Sequence, residues 1–173
     1  PYPYDPEKAK ALLTEAGYPD GFEINFELAA EYPLERRAGE VIAQQLSEVG
    51  ITANVSIIDF TTWVNKIFLG GDYDMTIIGH VEPRDISIYG NPDYYYKYNN
   101  PKIGELLAQI ETTPDEPGQL ELYKEIATII ANDAVNVWVY APSNLIAARK
   151  DVYGFWTNAP TVTIDMTGVY RAE

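Results

Sequence analysis

The chain of 173 residues contains no cysteine, which excludes thiol catalysis, disulfide bonds and zinc sites built from cysteine. Long hydrophobic runs are also missing, since no uninterrupted apolar stretch approaches the roughly 20 residues of a membrane-spanning helix. Histidine occurs once, as His80. The lack of cysteine does not identify a compartment, because it is compatible with both the cytoplasm and the periplasm.

Basic residues are scarce. There are 12 Lys and Arg against 26 Asp and Glu, and the formal net charge is −14. A nucleic-acid partner requires a basic face that releases counterions from the phosphates. We therefore expect no nucleic-acid partner, and we expect the acidic surface mainly to favour solubility.

Catalytic signatures are absent from the sequence. There is no Ser-His-Asp order, no HExxH motif, no phosphate loop and no dinucleotide fingerprint. Glu82 and Asp85 could act as an acid–base pair, but one histidine without a visible nucleophile gives a hydrolase little support. We predict that the chain is not an enzyme, has no catalytic residues and uses no cofactor.

The patterns that are present predict one α/β (α+β) domain. Asp5 as an N-cap and Pro6 at the first helical position predict an opening helix. Alternating apolar and polar residues predict strands over 22–28 and 51–57, and the helical spacing between them makes this an N-terminal βαβ unit with parallel strands. We expect a single lobe with a mixed sheet and flanking helices.

The middle of the chain predicts a third strand and its approach. Thr61 or Thr62 is expected to cap a short helix containing Trp63, and residues 73–79 follow as a strand. If the three strands are parallel, residues 29–32, 59–63 and 79–85 share one edge of the sheet, where ligands bind to open sheets.

The last third predicts two helices and a hairpin. The helices begin at Pro101 and near Pro114. The residues of the second helix expected to face inward are Leu120, Tyr123, Ala127 and Ile130. Residues 135–140 and 145–148 are expected to pair as two strands of a hairpin.

The candidate site lies after the third strand, where one short stretch holds the histidine, two carboxylates and an arginine. The residues predicted to bind ligand are His80, Glu82, Arg84, Asp85, Tyr94, Tyr95 and Trp63. His80 could contact ligand, play a structural role or bind metal with Glu82, although His-x-Glu alone is weak evidence and we assign no metal site. Arg84 could clamp a ligand carboxylate or pair locally with Asp85.

Five of the 14 tyrosines lie within ten residues, at Tyr89, Tyr94, Tyr95, Tyr96 and Tyr98. Such rings suit a sugar or peptide surface, or they could pack a turn against the following helix. The side chain of Trp63 could likewise lie in the core or face the cleft. Its helical spacing with Val64, Ile67 and Phe68 favours the core.

Several spaced motifs resemble the extracytoplasmic solute-binding proteins of family 5, of the oligopeptide, dipeptide and nickel type. They are Tyr4-Asp5-Pro6-Glu7-Lys8-Ala9-Lys10-Ala11-Leu12-Leu13, Gly71-Asp72-Tyr73-Asp74, Leu122-Tyr123-Lys124 and Val152-Tyr153-Gly154-Phe155. The resemblance covers residues 2–156 and implies the carboxyl-terminal lobe of a longer receptor.

That resemblance implies further partners and a location. The ligand would be a peptide or another small solute held in a cleft shared with an N-terminal lobe, and the receptor would deliver it to the membrane permease of an ABC importer. Its location would be periplasmic or extracytoplasmic, although the chain opens without an initiator Met or a signal peptide.

The tail, residues 157–173, is expected to return toward the other lobe. The isolated lobe is expected to expose an apolar patch near residues 79–98 and to dimerise through it. A protein-interaction domain is the alternative function.

In peptide-binding members of that family, an aspartate beyond the strand after Gly-Asp-Tyr-Asp binds the amino terminus of the ligand. The resemblance places His80 at or beside that position. An imidazole is a weaker partner for an ammonium than a carboxylate. Either Glu82 or Asp85 therefore supplies the charge, or the ligand is not an ordinary peptide with a free amino group.

Overall fold

The computed structural model describes residues 2–81, 85–141, 145–156 and 165–172. The regular elements are α1 (Pro6–Glu15), β1 (Phe22–Ala29), α2 (Pro33–Ser47), β2 (Ile51–Ile58), α3 (Phe60–Trp63), a π-helical segment (Val64–Leu69), β3 (Met75–Ile77), a 3-10 helix (Asp85–Gly90), α4 (Pro101–Thr112), α5 (Glu116–Asn132), β4 (Val152–Tyr153) and β5 (Tyr170–Arg171). None of the described helices is long and apolar enough to cross a lipid bilayer.

The main sheet has the strand order β2-β1-β3, with β1 in the centre. Both pairings are parallel, and Phe22 lies opposite Ile51 while Leu28 lies opposite Ile77. The predicted βαβ unit and the α/β class are therefore confirmed. Antiparallel pairing occurs in a separate ribbon of β4 and β5, so among the described residues the two kinds of pairing belong to different sheets.

Helix α2 covers one face of the sheet at close range. Phe26 and Leu28 of β1 are fully buried, as expected for alternate residues of a central strand. A Cβ atom on Gly39 of α2 would come within 2.6 Å of the Leu28 side chain. The absence of a side chain at Gly39 lets the helix approach the sheet, so the strand alternation and this glycine together build the first layer of the core.

The opposite face of β1 carries a buried charge. Glu27 is only 3% exposed, and its Oε1 accepts a hydrogen bond from Lys66 of the π-helical segment. A buried carboxylate is costly without a partner of opposite charge. The pair thus fixes the π-helical segment against the centre of the sheet. The hydrogen bond to Glu27 is the leading reason that the pKa of Lys66 is raised.

A second core lies between α4, α5 and the 3-10 helix. Its buried members are Tyr89, Ile103, Leu106, Ile110, Ile126 and Ile130. The inward face predicted for α5 is partly wrong: Ile130 is buried as expected, but Leu120 is exposed, and Ile126, which was not predicted to face inward, is fully buried. The helix is turned so that its isoleucines meet α4, and Ala127 is left at the surface.

Two other local predictions need correction. Neither Thr61 nor Thr62 caps α3, because Asp59 is the N-cap and its carboxylate accepts hydrogen bonds from the backbone N–H and the hydroxyl of Thr62. Residues 135–140 and 145–148 form no strands. Residues that alternate between apolar and polar form a strand only where a neighbouring strand provides backbone hydrogen bonds. Here Val137 and Leu145 are instead 78% and 94% exposed.

The described part of the tail returns to the chain itself. Tyr170 and Arg171 pair with Tyr153 and Val152 in the antiparallel ribbon, and Asp151 accepts a hydrogen bond from the Nε of Arg171. Residues 157–164 of the predicted tail lie outside the described residues. The expectation that the tail reaches another lobe stays a prediction.

Candidate functional site

The three parallel strands end side by side, as the sequence predicts. Their last paired residues are Ala29, Ile58 and Ile77. The backbone N–H of Ala30 donates to the carbonyl of Ile58, so the first two exits remain in contact beyond the sheet. Residues that follow these strands therefore gather at one edge, where open α/β sheets bind ligands.

His80 follows β3 at this edge and lies against the tyrosine cluster. Its Nε2 lies 2.9 Å from the hydroxyl oxygen of Tyr95 and 2.9 Å from that of Tyr96. The imidazole also stacks on the ring of Tyr95, with an angle of 11° between the planes. One fifth of the side chain is exposed, so His80 is held in one orientation while part of the ring remains accessible.

Asp85 is the carboxylate that the described residues place nearest to His80. Its Oδ2 lies 3.9 Å from Nδ1 of the imidazole, and 40% of its side chain is exposed. Glu82 and Arg84 lie outside the described residues, so their predicted roles stay predictions. Within the described part of the chain, no group of three or more potential metal ligands comes together.

The tyrosines are used largely for packing. Tyr95 is 4% exposed and Tyr89 is 8% exposed, and the Tyr89 hydroxyl donates to Oδ1 of Asn136. Tyr94 is partly buried in the cluster of Ala29, Trp63, Ile67 and Tyr95. These contacts support the packing alternative for most rings. The apolar patch expected near residues 79–98 is correspondingly wrong for the described residues, among which Val81 is the exposed large apolar side chain.

Trp63 lies beneath the site. It is 4% exposed, and its indole N–H donates to Oγ1 of Thr76, whose hydroxyl donates to the carbonyl of Glu27. A buried indole N–H usually has a hydrogen-bond partner inside the protein, so the position of Trp63 needs no ligand to explain it. The core alternative weighed for Trp63 is therefore the one that its surroundings favour.

An aromatic row, defined as Tyr32, Phe60, Trp63, Phe68, Tyr94 and His80, crosses the edge from the first strand exit to the third. Successive ring centroids lie 5.6 to 6.4 Å apart. Phe60 and Phe68 are more than one third exposed, so the row presents flat apolar surface. The sequence analysis placed Tyr32 and Phe60 within the strand exits and Tyr96 within the tyrosine cluster, but it did not name these three among the residues predicted to bind ligand. The position of Tyr32 and Phe60 directly after two strands was the available signal.

Burial raises the pKa of the clustered phenols. The pKa of Tyr89 rises from 10.0 to about 12, and desolvation raises the pKa values of Tyr95 and Tyr96 in the same direction. Desolvation disfavours the charged form of a phenol. The hydroxyl groups around His80 therefore stay protonated and able to donate at neutral pH.

Alkaline pH is expected to destabilise the chain through these phenols. Below pH 10 they are neutral in both states. Between the ordinary phenol pKa of 10.0 and the raised pKa of about 12 for Tyr89, the unfolded chain loses protons that the folded chain keeps. The free energy of unfolding then falls as pH rises, by about 2–3 kcal/mol for Tyr89. Denaturant midpoints measured at steps of pH would test this, and a constant midpoint across that interval would contradict it.

Comparison with known proteins identifies the family that the spaced motifs resemble. The family model for bacterial extracellular solute-binding proteins, family 5 middle region, matches residues 1–102. The glutathione-binding protein GsiB of Escherichia coli K12 is 28% identical over 176 residues, covering 90% of this chain and 34% of GsiB. The chain thus spans about one third of the length of the curated relatives it matches.

Two solved structures share the fold. The oligopeptide-binding protein AppA from Bacillus subtilis, in complex with a nonapeptide, aligns with a TM-score of 0.78 at 20% identity, covering 98% of this chain and 38% of AppA. The ABC transporter-associated periplasmic binding protein DppA from Helicobacter pylori, in complex with the peptide STSA, aligns with a TM-score of 0.65 at 23% identity, covering 78% of this chain and 28% of DppA.

The proteins of this family are binding proteins rather than enzymes, in agreement with the prediction made from the missing catalytic motifs. The resemblance drawn from the spaced motifs is likewise confirmed, since the family model covers more than half of the chain. The chain belongs to family 5 of the bacterial extracellular solute-binding proteins.

Proposed function

We propose that this chain captures a small solute for an ABC-type importer, with the carboxyl edge of its sheet as one wall of the binding cleft. The observation that carries the proposal is the meeting of the three strand exits beside His80 and the aromatic row. Family membership supports it. Relatives described as binding glutathione or peptides make a peptide-like solute the leading candidate.

The second wall would come from another lobe. We propose that residues 1–173 act as the carboxyl-terminal lobe of a longer receptor, which agrees with the one third of relatives' length that they span. Closure about a hinge would then be driven by ligand contacts that exist with both lobes only in the closed state. We also propose a periplasmic or extracytoplasmic location and a membrane permease as partner. A dimer of the isolated chain stays a prediction.

Exposed apolar residues suggest where the other lobe makes contact. Val137, Trp138, Val139 and Tyr140 are exposed in sequence, and Leu145 and Ile146 follow. Exposed large apolar side chains mark interaction sites in folded proteins when they form a patch. We place the contact with the second lobe at this segment, which follows Asn136, the residue that accepts a hydrogen bond from Tyr89 of the tyrosine cluster.

Calorimetric titration of the full-length receptor tests the proposal. Dipeptides, glutathione, sugars and Ni²⁺ would be titrated into the receptor and into residues 1–173 alone. We expect the receptor to bind one of these solutes at a single site and the isolated chain to bind it weakly, because half a cleft offers half the contacts. Strong one-site binding to the isolated chain would contradict the shared cleft.

Replacement of His80 tests the site itself. His80→Ala is expected to weaken the affinity of the receptor for its solute about tenfold, the value of one hydrogen bond of ~1.4 kcal/mol. Tyr98→Phe is the matched control, because it removes a hydroxyl of the same cluster that donates instead to Asp133. Unchanged affinity in His80→Ala at a normal thermal midpoint would remove His80 from the site.

A further inference from the structure

Strand β2 forms one edge of the main sheet, with β1 as its neighbour on the inner side. Each of its eight residues, from Ile51 to Ile58, pairs with β1 in an unbroken parallel register. Among the described strands, none lies beyond β2 on the outer side. The outer side is therefore a long, regular edge with backbone groups that another strand can bond.

The backbone groups on the outer side belong to alternate residues of β2. The backbone N–H of Ala30 donates to the carbonyl of Ile58, so Ile58 turns its own N–H and C=O toward β1. Successive residues of a strand direct these groups to opposite sides. The outward groups therefore belong to Ile51, Ala53, Val55 and Ile57, and each of these residues offers one donor and one acceptor.

The edge lacks the features that usually protect exposed strands. Val55 and Ile57 are 39% and 54% exposed, although both are apolar. Residues 51–58 contain no charged residue and no proline, in a chain with 26 Asp and Glu. Natural edge strands are commonly blocked by lysine, proline or a bulge. The composition and the unbroken register leave β2 open to pairing.

A second copy of β2 in antiparallel orientation complements this edge. A two-fold axis at Asn54 places Ile51 opposite Ile57 of the other copy. The same register places Ala53 opposite Val55, so the outward backbone groups meet in hydrogen-bonded pairs and apolar side chains meet apolar side chains. No like charges face each other within the strand pair, which matters because each chain carries a net charge of −14.

We propose that two copies of the receptor associate through β2, so that two three-stranded sheets join into one sheet across a two-fold axis. A second copy is the occupant that the edge fits, because the register that bonds the backbone also matches apolar with apolar residues. The opposite edge of the sheet is β3, which has three residues, so the association closes at two copies. This inference goes beyond the proposed function, since it involves no solute.

Sedimentation of the full-length receptor over a dilution series tests the association. We expect an equilibrium between monomer and dimer. Val55→Lys removes an apolar contact and brings two lysines into diagonal positions across the axis, and it is expected to weaken the dimer at least about tenfold. A receptor that stays monomeric at every concentration would overturn the inference, whether or not it binds solute.

Val41→Lys is the matched control for Val55→Lys. It makes the same substitution on α2, at a side chain that is 55% exposed, and it is expected to leave the dimer unchanged within about twofold. Both variants alter the net charge of the chain equally, so net charge cannot produce a difference between them. Equal weakening by the two lysines would overturn the contact through β2.

The charge that is placed at the two-fold axis tests the register. Asn54→Asp puts two carboxylates directly opposite each other and is expected to weaken the dimer about two- to fivefold. Thr52→Asp adds the same charge on the same face but opposite Ser56, and is expected to have a smaller effect. The two positions are matched, since Asn54 bonds to Glu23 and Thr52 pairs with Glu23. Both are exposed, so these variants are expected to fold even if Val55→Lys does not.

Mixing variants gives the opposite sign. Receptors carrying Asn54→Asp and Asn54→Lys are each expected to dimerise weakly alone, but their mixture is expected to form a mixed dimer about two- to fivefold tighter than either, because opposite charges then face each other. Sedimentation of one labelled variant in the presence of the other measures this. A mixture without mixed dimers, or equal effects of Asn54→Asp and Thr52→Asp, would overturn the proposed pairing.

Discussion

Gly21→Ala is expected to cost roughly 3–5 kcal/mol of folding free energy or to prevent folding. Gly21 immediately precedes β1 and has a φ of +75°, and a Cβ atom there would lie 1.8 Å from the carbonyl oxygen of Gly50. Gly50 immediately precedes β2, so the methyl group would force apart the two strands at the point where their pairing begins. Because the obstacle is backbone, no side-chain rotation relieves it.

Gly17→Ala is the matched control for this prediction. Gly17 also has a positive φ, +91°, but an added Cβ would meet nothing within 4 Å. It therefore carries only the conformational cost of the left-handed region, about 1–2 kcal/mol. Chemical denaturation followed by circular dichroism gives both values, and equal losses in the two variants would show that the strand approach is not the cause.

Trp63→Ala is expected to cost about 3–5 kcal/mol, because it removes a large buried ring and leaves a cavity that its neighbours cannot fill. The ring packs with Ala29, Ile67 and Tyr95, and it supports the aromatic row from below. Trp138→Ala removes the same side chain from a position that is 62% exposed and is expected to change stability by no more than about 0.5 kcal/mol.

A third variant separates packing from ligand contact at Trp63. Trp63→Phe keeps an aromatic ring but loses the N–H that donates to Thr76, and we expect a loss of about 1 kcal/mol. Solute affinity of the receptor would remain within about twofold if the tryptophan acts only through packing, given the scatter of such values. A large loss of affinity at small cost in stability would return Trp63 to the ligand-binding residues.

Local chemistry allowed much of the first half of the fold to be predicted. The N-cap Asp5 with Pro6, and the alternation over residues 22–28, act over a few residues and do not depend on distant contacts. The same local logic failed at the second half of α5, where both the Tyr123–Ala127 face and the Ile126–Ile130 face satisfy helical spacing. Only contact with α4 decides between them.

The predicted hairpin failed for a related reason. Residues 135–140 have the composition of a strand, but a strand exists only with a neighbour to pair with. Within the described residues, Trp138 is exposed. A pattern that predicted a buried strand therefore became, in the folded chain, a candidate surface for recognition.

The amino-acid sequence by itself determined the parallel βαβ unit, the edge at which the strand exits meet and the family, because periodicity, capping and spaced motifs are properties of neighbouring residues. Tertiary structure alone decided that the Nε2 of His80 lies 2.9 Å from the hydroxyl oxygens of Tyr95 and Tyr96 and that the carboxylate of Asp85 lies 3.9 Å from the Nδ1 of the same histidine. These contacts join residues that are far apart in the chain. Local periodicity does not determine which of them become neighbours, and only the packing of the helices against the sheet brings them together.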